Sequence, residues 1–374
     1  MLVAVLFALL SWAGIVATRE AGRVATIWLA NGLLIGILLR TSPRRWPAFV
    51  GAGLIGNILA DLLAGDGIVG AIGLSACNAF EIGLAASWLR RVIGAQPDAF
   101  RIAATAWRIV PCVLLAPVVP SALGALTVAI VSGTSFWTAL RLWYAADLLG
   151  LLLVAPFVLA IDHRLADRLW KSPRRAKNQL ALLLLAVVTA VVFAQNELPL
   201  LFLVLPPLLL VVFRMGLPGA ALGLLVLGVI SLGFTVQGTG PLALVESATM
   251  PERVLLLQFY LVVASLMAYP VGVALTERHR LQRHLADSER RYRTLSENSS
   301  DIIVRTSFDR RRLYMSPSVT DILGWPVDEL LGAPRTDLIH PDDLEAYMAC
   351  DAAIRSGQRT ATLVYRYRHR EGHY

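Results

Sequence analysis

Charge is scarce in this chain: only 16% of its 374 residues are Asp, Glu, Lys or Arg, while 56% are hydrophobic. The mean hydropathy is +0.63. That balance excludes an ordinary soluble domain and fits a polytopic membrane protein. Cysteine is scarce too. Cys77, Cys112 and Cys350 have neither the spacing of a disulfide framework nor that of a zinc site. The first two lie in apolar runs and read as small packing residues. The opening "MLVAVLFALLSWAGIVA" lacks a basic flank, which argues against a cleavable leader and for a first spanning helix. The net charge of +8 does not form a nucleic-acid patch, because its basic residues sit in short loops between apolar runs.

What is present divides in two. Residues 1–276 are long apolar runs, and residues 277–374 are charged throughout. The pattern predicts an all-α polytopic membrane bundle of about 8–10 transmembrane helices over 1–276. A helical connector follows at 277–295, then a cytoplasmic α+β domain at 296–374. Ten candidate spans stand out: 2–18, 24–39, 46–64, 68–92, 107–131, 137–161, 179–195, 198–213, 217–236 and 252–276. Residues 179–213 also fit one broken hairpin. With the N-terminus inside, the inner loops collect Arg40, Arg44, Arg45, Arg90, Arg91, Arg101, Arg108, the basic cluster 164–177 and Arg214. The outer side holds only Arg19, Arg23, Arg141 and Arg253. This asymmetry follows the positive-inside rule and predicts that residue 277 onward lies in the cytoplasm.

Six polar residues interrupt the spans: Asn31, Asn57, Asp61, Asn78, Glu81 and Asp147. A charge at the bilayer centre costs about 2.5–3.5 kcal/mol, so it faces a partner or a watery cavity. At about 1.5 Å per residue, Asn57, Asn78 and Asp147 each fall near mid-membrane. Glu81 lies one turn beyond Asn78, on the same face. In "WYAADLLG", Trp143 and Tyr144 precede Asp147 by four and three residues, and Gly150 extends that face with room for close approach. Asp61 lies near an outer end. The candidate site is therefore Asp147, Glu81, Asn78, Asn57, Asn31, Trp143 and Tyr144. Two readings stand: polar residues pairing helices, or a ligand or proton site. Gly51, Gly53 and Gly56 read as helix packing, and Pro111, Pro117 and Pro120 as a kinked helix.

Four stretches, "ATIWLANGLLIGILLR", "RRWPAFVGAGLIGNILADLL", "CNAFEIGLAASWLRR" and "LWYAADLLGLLLVAPFVLA", resemble the first class of MASE membrane-associated sensor domains. The carrying residues are Trp28, Asn31 and Gly32, then Asn78 and Glu81, then Trp143, Tyr144, Asp147, Gly150, Ala155 and Pro156. The proline often found after the tryptophan is missing. The resemblance implies input sensing at the bacterial inner membrane. It supplies no general ligand.

Beyond the last span, Leu281, Leu285, Ser288, Tyr292 and Leu295 recur at alternating spacings of four and three, a short imperfect coiled-coil seam suited to a homodimer. Arg278, Arg280 and Arg283 equally fit a helix whose basic side chains meet lipid headgroups. Downstream, "DIIVRT" and "RRLYMS" read as a hairpin. "VTDILGW" and "VDELLG" read as short helices closed by glycine, and "HPDDLEAYMACDAAIRSG" as a longer helix with His340 at its N-cap. "ATLVYRYRHR" reads as a strand. This order, with "SERRYRTLSENSSDIIVR", "SPSVTDILGWPVDELLG", "DLIHPDD" and "YRYRHREGHY", resembles a PAS domain, with Ser316 where many relatives have Asn. Two further strands of such a domain are missing after "EGHY", so the chain reads as part of a longer protein.

His340 is explained by its helix start, and Cys350 lacks the flanking pattern of flavin-binding light sensors. No haem, flavin or metal is expected. The expected partners are the lipid bilayer, a second copy through the connector and PAS domain, and an unknown small ligand. No cyclase "GGDEF" loop, phosphodiesterase "EAL" signature, histidine box or ATP-binding glycine motif is present. The resemblance implies a diguanylate cyclase output beyond Tyr374, with a sensor histidine kinase as the alternative. A rival of another class is a secondary transporter using Asp147 and Glu81.

Overall fold

The computed structural model describes residues 2–18, 25–94, 103–161, 169, 171, 173–245, 247–297, 301–332 and 334–374. The chain forms two compact units, Met1–His279 and Arg280–Tyr374.

The first unit is helical: α1 (Leu2–Thr18), α2 (Ala30–Arg40), α3 (Trp46–Leu63), α4 (Ile68–Ile93), α5 (Ala103–Leu115), α6 (Val118–Ser132) and α7 (Phe136–Ala160). Then come α8 (Arg175–Ala194), α9 (Leu205–Met215), α10 (Leu217–Val236) and the first part of α11 (Met250–Glu297). Seven helices are long and apolar enough to cross a membrane; Val3–Val16, Ala30–Arg40 and Leu201–Met215 are apolar but shorter. The ten expected segments are therefore present among the described residues, although three fall short of full span length.

The expected 24–39 span is corrected at its start. Residues 25–29 are not helical, and α2 begins only at Ala30. Irregular backbone inside a bundle needs hydrogen-bond partners that lipid cannot supply. Here Gln258 of α11 donates to the Thr26 carbonyl. The expected 107–131 span breaks at residues 116–117, where α6 starts with Pro117 as its cap, as its three prolines suggested. Residues 179–213 form two separate helical elements, α8 and the segment from Leu201.

Glycine sets the closest helix crossings. A Cβ on Gly32 of α2 would lie 2.1 Å from the Gly150 carbonyl oxygen of α7, and one on Gly150 would lie 2.5 Å from the Trp28 carbonyl oxygen. Gly56 likewise meets the Ala4 carbonyl at 2.9 Å, whereas Gly51 faces open space and does not serve the packing expected of it. At the end carrying the basic loops, arginines also cap helices. Arg40 donates to the Val158 carbonyl at 2.8 Å and to that of Ile161, closing α7. Arg90 donates to the carbonyls of Leu39 (3.3 Å) and Thr41 (3.1 Å), closing α2. Outward, Leu63, Val69 and Ile130 are three-quarters exposed, the surface a lipid-facing helix presents.

In the second unit, β1 (Val304–Thr306) and β2 (Arg312–Met315) pair antiparallel with Val304 opposite Met315. The turn between them holds Arg310 at φ +67°. The two short helices are α12 (Ser318–Leu323), ended by left-handed Gly324, and α13 (Val327–Leu330). Next, α14 (Leu344–Arg355) is preceded by a 3-10 turn over Pro341–Asp343. The His340 ring accepts from the Asp342 amide at 3.3 Å, the cap expected of it. Met315, Val319, Leu330 and Leu338 form the core. The expected strand in "ATLVYRYRHR" reduces to one bridge, Ile339 with Tyr367. Val364 is 94% exposed. A strand exists through its ladder, and among the described residues no neighbour pairs with 361–365.

Charge pairs fasten that C-terminal stretch. Arg366 reaches Asp343 Oδ1 and Oδ2 at 2.9 Å each, and its amide donates to the same carboxylate at 2.8 Å. Arg366 beside Asp343 holds that carboxyl well below the usual range. Arg355 and Arg310 lower Asp351 similarly. A depressed folded-state pKa contributes stability above the unfolded value, about 3.9, and that contribution is lost as pH falls through the folded value. Hydrogen-exchange protection of the Arg366 amide, corrected for intrinsic rates, is expected to hold from pH 8 to about 5 and fall below about 4. Unchanged protection under acid, or the same acid step in Arg366→Ala, would refute the assignment.

Candidate functional site

The polar residues of the spans gather into two groups. In the larger, Asn31 of α2 is the hub. The Trp28 indole N–H, a donor only, points at Asn31 Oδ1 at 3.0 Å. That fixes the amide's orientation and turns Nδ2 toward the acceptors. Asn31 Nδ2 meets Asn78 Oδ1 at 3.0 Å and Glu81 Oε2 at 2.5 Å on α4, and Asp147 Oδ1 on α7 at 3.5 Å. One amide group thus ties three helices together. Asn31, Glu81 and Asp147 are at most 1% exposed. Glu81 Oε1 and Asp147 Oδ2 meet no donor in hydrogen-bond geometry.

The smaller group lies beside it on α3 and α4. Asn57 Nδ2 donates to Ser75 Oγ at 2.8 Å and to Asp61 Oδ2 at 3.3 Å. Asn57 therefore pairs with the acid that sequence reasoning leaves outside the site, and Ser75 escapes that reasoning altogether. Ser75 precedes Asn78 by three residues, which is the available signal.

Trp143 and Tyr144 part company. Trp143 is buried, with its ring against Gly124 of α6, where a Cβ would lie 2.7 Å from ring atoms. Tyr144 turns toward α5 and donates its hydroxyl to the Leu114 carbonyl at 2.9 Å. Residues three and four before Asp147 flank its face on opposite sides, and only Trp143 falls on the inner one.

Above the larger group is a cavity of about 340 Å³, within the size range of small-molecule pockets. Asp147, Asn78, Trp28 and Trp143 lie at its deep end; Asp66 and Ser132 lie toward the helix ends opposite the basic loops. Those ends are the α3–α4 turn and the C-terminus of α6.

The helix that leaves the bundle touches both elements framing this site. Pro156 has no N–H, so the Leu152 carbonyl, four residues earlier in α7, loses its helical donor. Tyr269 of α11 supplies one, its hydroxyl lying 2.5 Å from that oxygen. Gln258 of α11 holds Thr26, just ahead of Trp28.

A cavity closing on a buried acid–amide group in a many-helix bundle, with a mixed α+β domain after it, is the build of a multi-pass membrane protein, and the two families it matches make it a sensory input module of a signalling protein. Comparison with known families then fixes its kind: the MASE1 family matches residues 1–279, and the chain belongs to it. The PAS fold matches residues 312–374, which hold β2 and the helices α12, α13 and α14. No curated protein and no solved structure matches the chain.

Proposed function

We propose that a small ligand entering the cavity from the outer face of a bacterial inner membrane repositions α2, α4 and α7, and that α11 carries the change to a cytoplasmic PAS domain. The observation that carries this reading is the double attachment of α11, through Tyr269 to the Leu152 carbonyl and through Gln258 to the Thr26 carbonyl. An occupant at Asp147 acts on both elements that α11 holds. Leu281 and Leu285 of α11 are well exposed, which supports pairing with a second copy. The output proposed for the whole protein is a diguanylate cyclase, from the order of a MASE domain followed by a PAS domain.

The test uses the full-length gene product in lipid nanodiscs, incubated with GTP. Cyclic di-GMP is expected from particles holding two copies, and Tyr269→Phe is expected to change the rate by at least about threefold, the scale of one buried hydrogen bond. Autophosphorylation from ATP without cyclic di-GMP would replace the cyclase with a kinase. Proton-coupled uptake of solutes by the same protein in liposomes, dependent on Asp147, would replace the sensor with a transporter.

A further inference from the structure

We infer that Glu81 and Asp147 form a proton-binding site: the pair holds one shared proton and exchanges it with solvent through the cavity. The inference goes beyond the sensory reading and does not depend on which ligand the cavity takes.

The first observation is a count of hydrogens. The two carboxyl groups, on α4 and α7, are hydrogen-bonded to each other. An ionised carboxylate only accepts, so two of them cannot form that bond, and one must carry a proton. Asn31 cannot stand in for it. Its Nδ2 has two hydrogens and meets three acceptors: Asn78 Oδ1 at 3.0 Å, Glu81 Oε2 at 2.5 Å and Asp147 Oδ1 at 3.5 Å. At most it satisfies one oxygen of each acid, and the contact between the acids is left to their own proton.

The second observation is the surroundings. Both carboxyl groups are fully buried, and among the described residues no lysine, arginine or histidine acts on either. Two negative charges in contact inside a low-dielectric bundle repel strongly, and a shared proton removes one of them. No neighbouring element supplies a cation instead. The other titratable groups near the pair are Cys77 of α4, Asp61 of α3 and Asp66 of the α3–α4 turn. On α7, Tyr144 turns away to α5. The one titratable residue of α2 is Arg40, which closes α7 at its inner end, and α6 has none.

The third observation is the route. Asp147 lines the deep end of the cavity, and Glu81 lies behind it. Asp66, Ser132, Asp61 and Asn78 line the way from the open end to Asp147. A volume of about 340 Å³ has room for several waters, the usual carriers of a proton. Release of the proton to solvent leaves two charges on adjoining helices, and the two amide hydrogens of Asn31 are then drawn from Asn78 to both acids. The contacts among α2, α4 and α7, from which the proposed signal starts, therefore depend on that proton.

The experiment is infrared spectroscopy of the full-length protein in nanodiscs at about pH 7, where an ordinary carboxyl is ionised. The carbonyl stretch of a protonated carboxyl is expected in the wild type. Glu81→Gln and Asp147→Asn are each expected to lose that band, because either amide supplies an N–H in place of the shared proton and leaves the other acid ionised. In D2O the wild-type band is expected to shift within the time of mixing. Val131→Trp, which fills the outer part of the cavity, is expected to slow that shift at least about tenfold.

Absence of the band from the wild type would overturn the assignment, and that measurement needs no variant to fold. So would survival of the whole band in either amide variant. A band unmoved by D2O over hours, or one that exchanges in Val131→Trp at the wild-type rate, would overturn the route. Cyclic di-GMP formation and its Tyr269 dependence are read separately. Their failure with the band intact removes the sensory reading, and loss of the band with them intact removes the proton site.

Discussion

Replacing Asn31 with leucine is expected to destabilise the bundle by about 3–5 kcal/mol, although the two side chains are close in size. The reason lies in what Asn31 serves. Its Nδ2 meets Asn78, Glu81 and Asp147, and its Oδ1 receives the Trp28 indole. Leucine removes all of these and leaves two buried carboxyl groups, an amide oxygen and an indole N–H to be re-satisfied. Each such orphan costs about 1–3 kcal/mol, and partial relaxation keeps the sum below simple addition. A fall in melting temperature of about 6–20 °C in nanodiscs is expected. Asn57→Leu should cost less, because Asn57 serves only Ser75 and Asp61. A shift under about 2 °C for Asn31→Leu would show that the hub is not structural.

The second large effect belongs to the α2–α7 crossing. Gly32→Val places a branched side chain where even a Cβ would stand 2.1 Å from the Gly150 carbonyl oxygen. The obstacle is backbone, so no rotamer change relieves it and the helices must separate. Overpacking usually costs about 1–3 kcal/mol; a backbone obstacle puts this substitution at or above the top of that range. Separation also pulls Asn31 from Asp147, so loss of signalling is expected together with loss of stability. Gly83 of α4 is the control. A Cβ there meets nothing within 4 Å. Gly83→Ala is expected to be neutral or to stabilise by a few tenths of a kcal/mol up to about 1 kcal/mol. Melting of the two variants side by side decides the matter. Equal melting temperatures would mean that the crossing tolerates bulk.

Much of this arrangement is legible in the amino-acid sequence. Apolar run length locates the helices, and the expense of charge in lipid singles out Asn31, Asn78, Glu81 and Asp147, which do come together. Helical spacing, however, fixes an angle about one axis and not the neighbour that stands there. Tyr144 shows the limit: it lies within one turn of Asp147 and serves α5 instead. Asn57 is expected at the same depth as Asn78 yet joins Ser75 and Asp61, because its own helix and a neighbouring one offer those partners first. The backbone contributions are hidden altogether. Nothing in "ANG" says that its glycine meets a carbonyl of a helix over a hundred residues away. The strand expected over "ATLVYRYRHR" fails for a related reason: alternation describes a side-chain pattern, while a ladder needs a second backbone.

Pro156 has a mechanical consequence for α11. The Leu152 carbonyl it sets free offers a single anchorage, and Tyr269 occupies it. Sliding α11 by one turn, about 5.4 Å, would bring Ser265 or Val273 opposite that oxygen. Neither replaces a tyrosine's reach: serine is too short and valine has no donor. Turning α11 about its own axis swings the ring away and breaks the same contact. A tilt that swings about Leu152 keeps it. The proline therefore acts as a fulcrum about which the part of α11 inside the bundle tilts, and Pro270, the residue after Tyr269, loosens α11 at the same level.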